Sequence, residues 1–212
     1  MNILITGATG FVGSHMVDYI LKYAIRPDQK VYCTKRWMED TKNLDHINHD
    51  SFEYIDCDLL DGMSVKRAVE ISKPSKVFHF AAQSFPEVSF KIPVITLQTN
   101  IIGTTHLLES IKESDYDPTI VSVSSSEVYG NPSKDEVPIT ETNPIRPANP
   151  YSISKVGHDL MSQYYHKAYG MKIITTRMFS HEGARRGKQF ALSSFAYQIA
   201  KNEKLKGDGV VK

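Results

Sequence analysis

Residues 2–21 read "NILITGATGFVGSHMVDYIL". The run opens with strand-forming residues, passes through Gly7, Gly10 and Gly13, and continues with Phe11, Val12, Met16, Val17, Ile20 and Leu21 at helical spacing. Strand, glycine turn and amphipathic helix form one unit. Glycines let the turn close tightly and let a pyrophosphate approach the backbone at the helix N-terminus, where free N–H groups point outward. The spacing is GxxGxxG and not GxGxxG, and a glycine-rich turn alone is a weak signal. Its place between a first strand and an amphipathic helix gives it weight. Gly7, Thr9, Gly10, Phe11, Val12 and Gly13 are therefore the residues expected around that ligand.

The same alternation continues along the chain. "KVYCT" (30–34), "FEYI" (52–55), "KVFHF" (76–80), "TIVSVS" (119–124) and "KIITTR" (172–177) read as further strands. The best of them are apolar on both faces, as buried parallel strands are. Ile101, Leu107, Leu108 and Ile111 form a second helical set, and Ile153, Val156, Leu160, Met161, Tyr164 and Tyr165 a third. Repeated strand–helix units predict an α/β fold, a Rossmann-type doubly wound parallel sheet with helices on both faces. The one long polar segment, "NPSKDEVPITETNPIRPANP" (131–150), holds five prolines and reads as a functional loop beside a site, with a disordered insert as the alternative.

Bulk properties narrow the function classes. The chain has 212 residues, 41% hydrophobic and 23% charged, with a formal net charge of +1. Such a balance points away from a nucleic-acid or membrane-surface partner. No apolar run is long enough for a bilayer span, and "MNILITG" reads as a strand and glycine turn, so no signal peptide is expected. Cys33 and Cys57 have no framework spacing, which predicts a reducing compartment and hence the cytoplasm. His46 and His49 lie near Asp45 and Asp50, but no HExxH or cysteine cluster supports a metal, and none is expected.

The end of the second strand bears on the cofactor. An NAD site usually shows Asp or Glu there, about 20 residues past the glycines, on the ribose hydroxyls. Here stand Thr34, Lys35 and Arg36, and two cations suit a 2′-phosphate, so NADP is expected over NAD. Exposed cations at a strand end are also common without a ligand. After the third strand, Asp58 of "DCDLLD" is placed either to accept from an adenine amino group or to cap the following helix.

Further on, "YSISK" sets Tyr151 and Lys155 four apart, on one face of a helix. A phenol with a pKa near 10 is a poor base at neutral pH, and a lysine one turn away with a cationic ring nearby lowers that pKa. The stretch "SSSEVYG" (124–130) puts Glu127 directly after three hydroxyls at a strand end.

Taken in order, "TGATGFVG", "DL" at 58–59, "HFAAQS" at 79–84, "SSSEVYG" and "YSISK" resemble the extended short-chain dehydrogenase/reductase family, the nucleotide-sugar epimerases and dehydratases. The resemblance covers essentially the whole chain. It implies cofactor contacts from Asp58, Leu59, Phe80, Ala81, Ala82 and Ser84, with Ser84 also facing substrate. It implies that Ser125 binds the substrate 4-hydroxyl, that Tyr151 takes its proton while the nicotinamide takes the carbon-4 hydride, and that Lys155 holds the ribose and tunes Tyr151. Glu127 then removes the carbon-5 proton, water leaves from carbon 6, and the hydride returns there, which is 4,6-dehydration.

Within that family, "RMFSHEGARRGKQF" (177–190) is similar to the "NHEGPRRG" segment of the GDP-mannose 4,6-dehydratases. This implies GDP-mannose as substrate, NADP contacts from His181 and Arg186, and a loop at a subunit contact in a homo-oligomer, dimer or tetramer. Arg185 is expected on the substrate diphosphate. Departures are "ATGFVGSHM" in place of a "GQDGSYL" form, Ser125 for threonine, Asn100 for aspartate, Ser180 and Ala184 for Asn and Pro, and Phe85–Pro86 for His–Val. Related epimerases, 4-keto reductases and decarboxylases are the alternative activities. The expected division is a cofactor-binding domain with the catalytic residues over 1–178 and the start of a truncated substrate-binding region over 179–212, since family members carry roughly 100 further residues. A cofactor-binding remnant without turnover is the alternative from another class.

Overall fold

The computed structural model describes residues 2–205. Six strands, β1 (Asn2–Thr6), β2 (Val31–Lys35), β3 (Phe52–Asp56), β4 (Pro74–His79), β5 (Thr119–Val123) and β6 (Ile173–Thr176), form one sheet in the order β3-β2-β1-β4-β5-β6. Every pairing is parallel. This is the Rossmann-type sheet expected from the sequence, with strand ends displaced by one or two residues. The helices are α1 (Phe11–Tyr19), α2 (Gly62–Ser72), α3 (Pro86–Lys91), α4 (Pro93–Leu97), α5 (Gly103–Lys112), α6 (Pro150–Tyr169) and α7 (Ala191–Leu205). A π-helical turn over Gln98–Ile102 joins α4 to α5, and another over Ile20–Ala24 extends α1.

Alternate strand residues enter two separate cores. Leu4 and Tyr32 pack with Val65, Val69, Leu107 and Leu108 on one side. Ile3, Ile5, Val31 and Cys33 pack with Val17, Ile20 and Leu44 on the other. Burial on both faces is why these strands read as continuous apolar runs. Each fully buried aliphatic side chain contributes about 1.5–3 kcal/mol relative to exposure.

Helix α6 meets the expectation drawn from its apolar residues only in part: Tyr165 is buried in the core and Met161 packs against it. Ile153, Leu160 and Tyr164 are about half exposed. The buried face carries Tyr151, Ser152, Ser154, Lys155, His158, Asp159, Ser162 and Tyr165. Small hydroxyls let the helix lie close to the sheet, and polar partners there replace water. Ser122 of β5 bonds both His158 Nε2 (2.7 Å) and Ser162 Oγ (2.8 Å), and Asn100 Nδ2 donates to Ser154 Oγ at 2.8 Å.

The strand order reverses between β1 and β4, so a crevice opens at the carboxyl ends of these two strands, where open parallel sheets bind ligands. The 131–150 segment is tied to the body of the domain. Arg146 N donates to Val128 O (2.9 Å) and Arg177 donates to Glu141 O (3.0 Å), while an Arg146–Glu136 pair (2.8 Å) braces the segment internally.

Candidate active site

The glycine turn fits against the end of β4 with no room to spare. Gly7 has φ +70°, and a Cβ there would meet Ala81 N at 2.7 Å. A Cβ on Gly13 would meet Gly7 O at 2.2 Å. Gly10 caps α1 without a side chain, so the first-turn N–H groups near Phe11, Val12 and Gly13 keep their capacity for an anion. These features fit a dinucleotide pyrophosphate. From the β4 end, Phe80 N donates to Thr6 O (3.1 Å) and Ala81 N to Thr6 Oγ1 (3.3 Å). Ala82 and the exposed Ser84 continue this loop, and the buried Asn100 clamps Gln83 between them by accepting from its N–H (2.8 Å) and donating to its carbonyl (2.9 Å).

A cavity of about 450 Å³ at the ends of β2 and β3 is lined by Arg36, Trp37, Glu39, Asp58, Asp61 and Arg67 among others. Arg36 and Asp58 are where the sequence placed them. Lys35 is not: its Nζ lies 2.6 Å from Asp56 Oδ1 and over the Tyr54 ring. Adjacent residues of an extended chain point to opposite sides, so Lys35 and Arg36 do not form a joint cationic clamp. Asp58 does not cap α2 either; Asp61 does, accepting from Met63 N, while Asp58 accepts from Leu60 N at 2.9 Å. The Leu59 side chain packs in the core against Gly103, away from the cavity.

At the other end of the crevice, Ser125 follows β5 and caps a 3₁₀ turn (Ser126–Tyr129), accepting from Glu127 N at 3.2 Å. Tyr151 and Lys155 project from the first turns of α6. Burial raises the Tyr151 pKa and the Glu127 charge adds to this, while a hydrogen bond with Ser125 and the charge of Arg186 pull it down. Lys155 donates to Val123 O at 2.8 Å, and burial lowers its pKa to about 8. The net Tyr151 pKa is raised, with burial the largest cause and Lys155 not among the causes, so the lowering by Lys155 expected from the sequence is not seen. The other Glu127 partner is Asn149, whose Nδ2 donates to Oε2 at 2.9 Å.

The arginine loop folds back over α1. His181 stacks on Phe11 (5.7 Å between centroids), Arg186 lies over Phe11 (5.6 Å) and Phe190 (3.9 Å), and His15 bonds Ala184 O at 3.0 Å. His181 and Arg186 thus sit beside the glycine turn through their contacts with Phe11. Arg185 pairs with Asp18 on α1 at 2.6 Å, a partner the sequence did not indicate, and another of its guanidinium nitrogens, Nη1, is buried without a hydrogen-bond partner. Burial opposes ionisation of Asp18, but hydrogen bonds from His46 and Arg185 and the Arg185 charge outweigh it and lower its pKa.

A crevice at the carboxyl ends of β1 and β4, a Ser–Glu–Tyr cluster after β5 and an arginine loop after β6 thus lie at the carboxyl end of one parallel sheet. The family described as GDP-mannose 4,6 dehydratase matches residues 4–210. The chain belongs to that family. It is 34% identical over 207 residues to the GDP-mannose 4,6-dehydratase of Vibrio cholerae, covering 93% of this chain and 54% of that protein. Its fold matches a dTDP-glucose 4,6-dehydratase of Streptomyces venezuelae with NAD and TYD bound (TM-score 0.87, 28% identity, 95% of this chain and 63% of that one). It also matches RMD of Pseudomonas aeruginosa complexed with NADPH (TM-score 0.78, 28% identity, 98% and 63%). The chain spans about half the length of the curated GDP-mannose dehydratases it matches.

Two polar residues of this dehydratase-family chain escaped the sequence reading. Glu39 accepts from Thr9 Oγ1 (3.1 Å) and from Arg36 N (2.8 Å), joining the glycine turn to the β2 end. It lies past the strand end where an acidic ribose partner is sought, and a wider window would have caught it. Asn149 stands before Pro150 and Tyr151, where a polar residue followed by proline signals a helix N-cap and nothing more. Among the described residues no group of His, Cys, Asp and Glu is placed to hold a metal, and no helix is long and apolar enough to cross a membrane.

Proposed function

We propose that this member of the dehydratase family acts as a nucleotide-sugar 4,6-dehydratase, converting GDP-mannose to its 4-keto-6-deoxy product. The observation that carries this reading is the Glu127 carboxylate held beside Ser125 and Tyr151. A nicotinamide dinucleotide bound along the glycine turn supplies the transient store for the carbon-4 hydrogen. Ser125 orients the 4-hydroxyl and Tyr151 accepts its proton. The carbon-4 ketone acidifies the proton on carbon 5, and Glu127 takes it. The same carboxyl then protonates the departing carbon-6 hydroxyl, so that water leaves and the carboxylate is restored. The stored hydride would return to carbon 6 and the proton held by Tyr151 to carbon 5, which completes the 4-keto-6-deoxy product. GDP-mannose is favoured by the "HEGARRG" loop and by the family match. NADP is favoured by Arg36, now without Lys35.

In this reading residues 1–178 carry the cofactor and the acid–base groups, and 179–212 begin the substrate side. Self-association is supported by exposed apolar residues on the packed helices α4 to α6, among them Val94, Ile95, Ile102, Ile153 and Leu160. The free Cys33 and Cys57 accord with a cytoplasmic location. Mass analysis after incubation with NADP or NAD and a panel of nucleotide sugars tests the activity. Loss of one water from GDP-mannose is expected from the native chain and not from Glu127→Gln, which still binds cofactor. Dehydration that survives Glu127→Gln removes Glu127 from the chemistry. Cofactor binding with no mass change from any sugar leaves a cofactor-binding module or an isomerase.

A further inference from the structure

Asn149 divides its carboxamide between two tasks. Its Oδ1 accepts from Ser152 N at 2.7 Å and caps α6, while its Nδ2 donates to Glu127 Oε2 at 2.9 Å. The orientation of the amide follows from its partners, since only the oxygen can accept from a backbone N–H and only the nitrogen can donate to a carboxylate. The backbone beneath it is fixed as well. Asn149 N donates to Ser152 Oγ (3.0 Å), Ser152 Oγ donates to Asn149 O (2.8 Å), and Pro150 follows in the first turn. Ser, Thr and Asp cap a helix about as well as Asn. Ionised Asp has no donor, and the single O–H of Ser or Thr sits on the capping oxygen itself, one bond short of the Asn149 Nδ2 that reaches Glu127.

We propose that Asn149 is a positioning residue that locks the Glu127 carboxylate to the helix carrying Tyr151. The carboxylate comes from the β5 end and the phenol from α6, so their separation depends on how these two elements are joined. Asn149 makes that join two residues before Tyr151, through a charge-assisted bond to one carboxylate oxygen, leaving Oε1 for the reacting carbon. The proposal rests on the reading of Glu127 as the acid–base group.

Two measurements separate this role from plain helix capping. In ¹H–¹⁵N spectra of the full chain, the Asn149 side-chain amide is expected to move upfield when Glu127 is replaced by alanine. An unchanged resonance overturns the contact. Asn149→Ser keeps a capping oxygen and gives up the separate Nδ2 donor, its one O–H being on the capping atom, whereas Asn149→Ala loses both. Asn149→Ser is expected to melt with the native chain and Asn149→Ala several degrees lower, about 2–8 °C. Both are expected to lose about tenfold in kcat for water elimination with KM unchanged, the size of one charge-assisted hydrogen bond. Recovery of kcat in Asn149→Ser together with its melting temperature overturns the positioning role and leaves a cap. A native chain that shows the amide shift but no turnover retains the contact and sinks only the functional reading.

Discussion

At the end of β2 two cations follow one another, and only the second reaches the cavity. Lys35 is neutralised by Asp56, while Arg36 lines the cavity with its guanidinium near Glu39 Oε2 (3.7 Å). A 2′-phosphate entering there gains Arg36 and meets the Glu39 carboxylate. Arg36→Ala is therefore expected to weaken NADP about tenfold more than NAD, the worth of one charge-assisted phosphate contact. Lys35→Ala changes the two affinities equally and little. Glu39→Gln, which removes the opposing charge and keeps the hydrogen bond to Thr9, strengthens NADP relative to NAD. Titration calorimetry with both dinucleotides measures all three. Equal losses of NADP affinity from Lys35→Ala and Arg36→Ala restore the joint clamp. A larger NAD loss in Glu39→Gln with no gain for NADP instead makes Glu39 the ribose partner of an NAD site.

The elements differ in how openly the sequence declares them. β1 with its glycine turn and α1 was legible because each part follows a local rule: apolar strand, positive-φ glycine, helical spacing. Ser125, Glu127, Tyr151 and Lys155 were legible as motifs at the ends of β5 and α6, and Tyr151 and Glu127 do converge with Ser125. The packing face of α6 was legible only in part. Counting apolar residues selects Ile153, Val156, Leu160, Met161, Tyr164 and Tyr165, of which Tyr165 is buried and Met161 packs against the core. Yet much of the buried face is serines, a histidine and Asp159, whose partners Asn100, Thr104, Ser122 and Arg177 lie on other elements. No single-helix periodicity carries that information. Asp159 is fully buried and pairs with Arg177 Nε at 2.8 Å, and Arg177 also reaches Tyr129 OH at 2.9 Å. Removing one partner of such a pair strands a charge, so Arg177→Leu is expected to cost about 3–5 kcal/mol in urea unfolding. Arg177→Leu combined with Asp159→Asn recovers part of that loss. A loss below about 1 kcal/mol in the single variant means that water reaches Asp159 and the pair acts as a surface bridge.

Across the whole molecule, a polar seam runs through the sheet from β1 to α6 and fixes the charge state of two histidines. Thr104 Oγ1 gives its one proton to Asn100 O (2.7 Å). Both His79 Nε2 and His158 Nδ1, each 2.9 Å away, must then donate to it. His79 Nδ1 is left to accept from Thr6 (2.7 Å) and His158 Nε2 from Ser122 (2.7 Å). Both rings are neutral, and a second proton on either would set donor against donor. Burial, with the Lys155 charge adding to it, accordingly lowers the pKa of His79 to about 3 and that of His158 well below the usual imidazole value. The unfolded chain takes up these protons near pH 6.5 and the fold refuses them, so the unfolded state binds more protons below that pH. Stability is then fully present above pH 6.5 and falls as the pH drops toward 3. Between pH 6.5 and 5, before most carboxylates titrate, the loss is about 1.5 kcal/mol per histidine, or about 3 kcal/mol for both. Urea unfolding at intervals from pH 7 to 5 measures the slope, and His158→Asn should halve it whatever that variant does to absolute stability. A stability that stays flat over this range would mean that the folded seam accepts protons, and the donor assignment built on Thr104 would have to be abandoned.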